Sequence, residues 1–203
     1  MKLYTSPSPN PHVVHMFIAE KGLDIPRVAV DVRGGENRRA AHLARNPAGQ
    51  TPCLELDDGF YLSEITAICE YLEELHPTPV LIGSTPRERA ETRMWTRRID
   101  LNIVEPLTNG YLFAERLDMF RPRIHTIPQA ADDLKQIAQE KLAWLDKLIA
   151  GQEFVCGGRL SLADILLFCF VDFGAANGQP INPELTTIVA HHARMKARPS
   201  ATA

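Results

Sequence analysis

Hydrophobic and polar positions along the chain follow two regimes, separated by the proline-marked stretch Pro77–Pro86. In the first, short alternating runs are interleaved with helical spacing. Lys2 to Thr5 alternates apolar and polar residues as a strand does, and proline-rich punctuation follows it. Val14, Phe17, Ile18 and Lys21 then fall at 3.6-residue spacing, with Ser8 or Asn10 able to cap, a proline at the first helical position and Gly22 at the end. Val28–Val32 predicts a second strand, closed by Gly34-Gly35. A polar, Arg-rich stretch and an Asn46-Pro47-Ala48-Gly49 turn follow. Cys53–Leu56 and Phe60–Leu62 flank Asp57-Asp58-Gly59, which predicts an antiparallel hairpin because Gly59 tolerates the positive φ of the turn. From Ser63 the positions Ile65, Ile68, Cys69, Leu72 and Leu75 are helical in period, until Pro77 and Pro79 stop the run.

Beyond Pro86 every periodic segment is helical. Met94, Trp95, Ile99 and Ile103 form one set, Leu134, Ile137, Ala138, Leu142, Leu145 and Ile149 a second, and the run from Leu162 a third. The start of that last helix is specified by Ser161 as cap, Asp164 returning the bond, and Leu160 and Ile165 as flanking apolar residues. Helix initiation explains this motif without any chemistry. The pattern divides the chain into an α/β domain over 1–78, a linker over 79–86 and an all-helical domain over 87–203.

Composition narrows the function classes. The chain has 203 residues, 45% hydrophobic and 23% charged, enough for a buried core. Its 22 Lys and Arg against 25 Asp and Glu give a net charge of -3, so no broad positive field exists to gather nucleic acid or anionic lipid. Thr5 to His12 is polar and proline-rich where a secretion signal needs an apolar region. Leu162 to Phe173 runs for about a dozen residues, interrupted by Asp164 and Asp172, short of the ~20 that a membrane span needs. Cys53, Cys69, Cys156 and Cys169 show neither C-x-x-C nor zinc spacing, and read as reduced core cysteines of a cytoplasmic protein without a metal site.

Particular residues then match a known family. Asn46-Pro47-Ala48-Gly49-Gln50-Thr51-Pro52-Cys53-Leu54 resembles the N-P-x-G-x-V-P-x-L segment of glutathione transferases. Asp58-Gly59 followed by Leu62–Ile68 and Tyr71-Leu72 resembles their D-G-x-x-L-x-E-S-x-A-I-x-x-Y-L, and Gly158–Ile165 their G-x-x-x-S-x-A-D-I/L helix start. These motifs lie near both ends of the chain. The resemblance implies a thioredoxin-like β-α-β-β-β-α domain followed by a C-terminal helical bundle, with glutathione as co-substrate, a small electrophile as second substrate, and a homodimer.

The resemblance also assigns site residues. Thr51-Pro52 corresponds to the cis-proline that turns the Thr51 backbone toward the cysteinyl peptide of glutathione. Glu64 corresponds to the carboxylate that binds the γ-glutamyl amine, and the next backbone N–H, of Ile65, to the group that holds the adjacent carboxylate at a helix terminus. The family's Ser is replaced by Ile65, which removes one hydroxyl bond and predicts weakened binding. Gln50 is a further contact, and Arg38, in the loop before the second helix, is a candidate for the glycyl carboxylate.

Thioredoxin-like oxidoreductases carry C-x-x-C at the first helix, whereas this chain has Ser6-Pro7-Ser8-Pro9-Asn10-Pro11 there. Thiol chemistry at that place must therefore come from glutathione. A hydroxyl and a helix N-terminus both favour thiolate over thiol. Among Tyr4, Thr5, Ser6, Ser8 and Asn10, Tyr4 falls within the strand, and Thr5 and Ser6 precede the helix by too much. Ser8-Pro9-Asn10 resembles the S-P-N of bacterial transferases, including nu-class-like members; Ser8 ranks first and Asn10 second. The electrophile pocket is expected near Tyr111, Phe113 and Arg116. The expected function is transfer of glutathione to electrophiles, or peroxide and disulfide reduction with it. The alternatives are a specialised isomerase, dehalogenase or ether-cleaving enzyme, and a non-catalytic interaction module resembling stringent starvation protein A.

Overall fold

The computed structural model covers residues 1–203 and divides into two compact units. One comprises Met1–Val80 with Pro199–Ala203, the other Leu81–Arg198. The first unit runs β1 (Lys2–Thr5), α1 (Pro9–Glu20), β2 (Arg27–Ala29), α2 (Ala40–Leu43), β3 (Cys53–Glu55), β4 (Tyr61–Ser63) and α3 (Ile65–Leu75). Its strands lie in the order β2-β1-β3-β4. β2 is parallel to β1, a pairing that needs a crossover, and α1 supplies it; β3 and β4 add as antiparallel strands. Leu3 and Leu54 are fully buried, as are Val13, Val14, Met16 and Phe17 of α1 and Ile68, Cys69 and Leu72 of α3, the helix against which α1 packs.

The strands and helices expected from sequence are present, with differences at their ends. β2 stops at Ala29 and not at Val32. The Val30 N–H still donates to the Thr5 carbonyl at 2.8 Å, but the Asp31 carboxylate then accepts from the Gly34 N–H at 2.8 Å and turns the chain. Between β2 and β3 lie a 3-10 turn, Glu36–Arg38, and α2, both shorter than any periodic window reveals. α1 ends as expected at Gly22, whose φ of 64° lets Leu23 N–H reach the Ile18 carbonyl and Gly22 N–H the Ala19 carbonyl. Lys21, on the apolar face of α1, is buried too. Its ammonium pairs with Glu73 and donates to the carbonyls of His76 (2.8 Å) and Pro79 (2.5 Å), so the carbonyl end of α3 offsets its desolvation.

The segment Pro199–Ala203 joins the sheet-bearing unit although the sequence groups it with the helices. Its 3-10 turn packs on α1, where His12 Nε2 lies 3.0 Å from the Ala201 carbonyl and the Ser200 hydroxyl donates to Glu20. A segment this short has no period from which its partner could be read.

In the second unit α4 (Pro86–Ile99) passes through a π-helical segment, Asp100–Val104, into α5 (Glu105–Phe113). α6 (Leu117–Phe120), α7 (Ala131–Leu148), α8 (Leu162–Ala176) and α9 (Thr186–Lys196) follow. α4 starts on a capping box that the sequence already contained. Thr85 Oγ1 accepts the Glu88 N–H at 3.2 Å, and the Glu88 carboxylate accepts the Thr85 N–H at 3.3 Å. α5 packs closely on α7, where a Cβ on Gly110 would come 2.8 Å from the Lys135 side chain. Ile137, expected in the core, is 42% exposed, whereas α8 is buried from Leu162 through Val171. No helix is long and apolar enough to cross a membrane.

Asp164 closes the capping box at the start of α8 and does more. Its wholly buried carboxylate accepts the Ser161 N–H (2.9 Å) and hydroxyl (2.7 Å) on one oxygen, and the Val155 N–H (2.7 Å) on the other, which also lies 3.0 Å from His191 Nε2 of α9. One carboxylate thus fixes a helix start, the preceding loop and a neighbouring helix. Asp164→Ala leaves these donors buried and unpaired, and is expected to lower stability by about 3 kcal/mol or more, read from the urea midpoint.

His15, on α1, is half-buried with Nε2 2.7 Å from Thr5 Oγ1. Burial, reinforced by the positive charges of Arg27 and His12, pushes its pKa down from 6.5 to about 4. Folded protein then binds fewer protons here than unfolded protein. Stability falls as pH drops through 6.5 and levels off below about 4, with no contribution above that window, where both states are neutral. His15→Gln is expected to flatten this limb in urea midpoints taken against pH; an unaltered limb assigns it to other groups.

Candidate functional site

Strand register brings the site residues together. In the antiparallel pairing of β1 with β3, Tyr4 lies opposite Cys53, so the following positions set Ser6 toward Thr51. In the pairing of β3 with β4, Cys53 lies opposite Ser63, which brings Glu64 and Ile65 to the same end of the sheet. Ser8 and Asn10 enter from the start of α1, and Gln50 precedes Thr51. Residues separated by more than forty positions in sequence thereby share one edge.

The start of α1 has an unusual donor inventory. Ser8 occupies the N-cap position with extended backbone (φ −153°, ψ 163°), yet its side chain makes no capping bond. An N-cap hydroxyl accepts from the second or third helical N–H; the third position, Pro11, has none, and the second, Asn10, does not donate to the Ser8 side chain. Pro9 lacks an N–H as well, and the His12 N–H already donates to the Ser8 carbonyl at 3.2 Å. Asn10 therefore carries the first-turn N–H that has no helical acceptor, at the positive end of the helix dipole. The expectation that Ser8 or Asn10 caps the helix by its side chain is not met. The Ser8 hydroxyl is exposed instead.

Ser6, set aside in the sequence as too far from the helix, is the residue that sequence reasoning missed. It is buried, with Oγ 2.6 Å from Thr51 Oγ1 and 3.3 Å from Ser8 Oγ, so three hydroxyls form a chain from the loop before β3 to the start of α1. The strand register, once known, is the signal that finds it. Tyr4 faces away: its hydroxyl donates to Glu55 at 2.7 Å, and the Arg45 guanidinium stacks 4.3 Å from its ring centre. That hydrogen bond, with burial, raises the Tyr4 pKa, while Glu55 is held below the usual carboxylate range by the same bond.

Buried polar side chains hold the loop that leads to Thr51. The Asn37 amide donates to the Gly49 carbonyl at 2.6 Å, and His42 Nε2 and the Asn46 amide lie 2.9 and 3.0 Å from the Gln50 carbonyl. The Gln50 backbone is fixed while its side chain stays exposed. Thr51-Pro52 is cis, as the resemblance implies. Arg38 ends the 3-10 turn beside this loop, exposed, with one guanidinium nitrogen 3.5 Å from the Ala48 carbonyl; no bond links it to the hydroxyl chain.

Glu64 is the one non-glycine residue with positive φ (71°, with ψ 121°). Such a backbone costs about 1–3 kcal/mol and persists only where the surroundings enforce it. Glu64 stands at the N-cap of α3 with an exposed carboxylate that makes no capping bond, and Ile65 follows as the first helical residue, half-buried. In the helical unit, Tyr111 and Phe113 are buried core residues. Tyr111 stands edge-on to Phe173 with ring centres 4.8 Å apart and accepts a 2.5 Å bond from Arg116 Nε.

This arrangement offers an anion-favouring helix start beside free hydroxyl and N–H donors, with a carboxylate nearby at a second helix start. Comparison with known proteins identifies the family. Residues 7–75 match the family model for the glutathione S-transferase N-terminal domain, and residues 125–203 that for the C-terminal domain. The chain is 30% identical over 205 residues to Glutathione S-transferase 2 of Saccharomyces cerevisiae, covering 98% of this chain and 87% of that protein. It is 37% identical over 170 residues to Maleylacetoacetate isomerase of Pseudomonas aeruginosa, covering 82% and 78%. A crystal structure of a glutathione S-transferase domain-containing protein from Marinobacter aquaeolei VT8 matches with a TM-score of 0.93 at 34% identity, covering 99% and 100%. With both family domains matched and its fold reproduced along nearly the whole chain, this protein belongs to the glutathione S-transferase superfamily.

Proposed function

We propose that the protein is a glutathione transferase that conjugates the glutathione thiolate to electrophilic small molecules, with peroxide or disulfide reduction as further uses of the same thiolate. The observation that carries this reading is the hydroxyl chain Ser8–Ser6–Thr51, which joins the start of α1 to the loop ahead of β3. A free cysteine thiol ionises near pH 8.5, and a hydroxyl donor together with a helix N-terminus lowers that value. Ser8 is the donor to the sulfur, and Asn10, with side-chain amide and free backbone N–H, is the competing one. The chain itself contributes no nucleophile there, so the protein acts by positioning and by stabilising the thiolate.

The remaining residues hold the tripeptide. The Thr51 backbone pairs with its cysteinyl peptide, with Gln50 beside it; Glu64 binds the γ-glutamyl amine, the Ile65 N–H the adjacent carboxylate, and Arg38 the glycyl carboxylate. The strained backbone of Glu64 supports its role, since such strain clusters at active sites and ligand clamps. We place the protein in the cytoplasm as a homodimer; its four cysteines, all buried and none in a disulfide, fit a reducing compartment. The 37% identity to a maleylacetoacetate isomerase supports an isomerase as a second enzymatic reading. Ile65, in place of the family's Ser, is the observation that favours a non-catalytic module resembling stringent starvation protein A.

Calorimetric titration with glutathione separates these readings. Wild type is expected to bind at millimolar ligand or below, and Glu64→Ala to weaken binding roughly tenfold or more through loss of a charge-assisted contact. Absence of binding by wild type removes the enzymatic readings. Ile65→Ser is expected to tighten binding about fivefold by restoring one hydroxyl bond. Ser8→Ala is expected to raise the pKa of the bound thiol by about one unit and lower turnover at neutral pH about tenfold. An unshifted thiol transfers the donor role to Asn10.

A further inference from the structure

We propose that Ser6 is a positioning residue of the thiol-activating site, a buried hydroxyl through which Thr51 aims the proton of Ser8 outward at the glutathione sulfur. The inference rests on the reading of Ser8 as sulfur donor and adds the groups that orient it.

Each hydroxyl has one proton and two lone pairs, so a chain of three can run in only two concerted directions. Thr51 and Ser6 are 8% and 7% exposed, and the only hydrogen-bond partner of the Thr51 hydroxyl is Ser6. If Ser8 donated to Ser6 and Ser6 to Thr51, the Thr51 proton would be buried without an acceptor, an arrangement that folded proteins avoid. In the opposite direction Thr51 donates to Ser6, Ser6 donates to Ser8, and Ser8 alone has a proton left over. Ser8 is exposed, so that proton meets water or ligand.

Two further features bear on this chain. The Ser8 side chain makes no helix-capping bond, so the lone pair that would accept there is free for Ser6. The two links also differ in length. Ser6 to Thr51 at 2.6 Å is a tight O–H···O contact, whereas Ser6 to Ser8 at 3.3 Å lies beyond the usual range. Slack therefore sits at the Ser8 link, where a thiolate would draw the donors into line, since catalytic hydrogen bonds often tighten only with ligand in place. Donation into Ser8 polarises its O–H and strengthens its bond to an anion.

The test measures the thiol pKa of glutathione bound to the intact protein, from the ultraviolet absorbance of the thiolate against pH. Ser6→Ala is expected to raise it by about half a unit, a roughly threefold loss of thiolate at neutral pH, while glutathione affinity stays within about twofold. Thr51→Val removes the first donor and is expected to shift the thiol in the same direction. The double variant is expected to shift it no further than either single one, because both break the same chain. Ser6→Thr, which restores a hydroxyl, recovers most of the shift. If Ser6→Ala does not fold, Ser6→Cys keeps the volume with a weaker donor and gives a smaller shift. A thiol pKa in Ser6→Ala or Ser6→Cys equal to that of wild type, with Ser8→Ala still shifted, overturns the relay and leaves the transferase reading intact. Failure of wild type to bind glutathione, or an unshifted thiol in Ser8→Ala, overturns the sulfur-donor reading and the relay with it.

Discussion

The geometry of the site depends on one register, that of β1 against β3. With Tyr4 opposite Cys53, Ser6 meets Thr51, the hydroxyl pair closes at 2.6 Å, and the start of α1 is tied to the loop before β3. A slip by one residue would turn every side chain of β1 to the other face. The register is enforced from within, because Leu3 and Leu54 lie opposite each other and are both fully buried, so a slip would expose Leu3. The same packing that stabilises the sheet therefore sets the chemistry at its edge.

Polar side chains buried around that edge act as fixed supports. Asn37, His42 and Asn46 bond to the carbonyls of Gly49 and Gln50, which leaves the Gln50 side chain exposed on a rigid backbone. Glu64 is held in a left-handed conformation between β4 and α3. Local propensity opposes that conformation, so its persistence reflects the strand and helix on either side. Lys21 performs a comparable task at the other end of the helices, where its buried ammonium joins the last turns of α1 and α3 through Glu73 and two carbonyls.

The helical unit is organised around a carboxylate. Asp164 is the return partner in a capping box, a role that needs only a local bond, yet it also takes the Val155 N–H and stands against His191. Its complete burial is tolerable because every donor near it is satisfied. A motif that reads in sequence as helix initiation thus also orders the loop ahead of α8 and the position of α9.

By itself the sequence determined the change from α/β to all-helical structure near residue 80, the hairpin at Asp58-Gly59, the Gly22 stop and the Ser161–Asp164 helix start. It also supplied the motifs around Thr51 and Glu64. These features are set by short-range physics: periodicity, turn conformation and capping chemistry act within a few residues, and so leave a local imprint. Short elements such as α2, and the return of Pro199–Ala203 to α1, left none, since a single turn has no period. The exposure of Ile137 and the burial of Lys21 were likewise beyond reach, because each depends on what packs against a helix face. Ser6 is the sharpest case. Nothing adjacent to it in the chain marks it, and its place between Ser8 and Thr51 follows from a strand pairing across some forty-five residues. Only tertiary structure decides such contacts, because hydrogen bonds between distant residues are selected by the packing of the whole sheet.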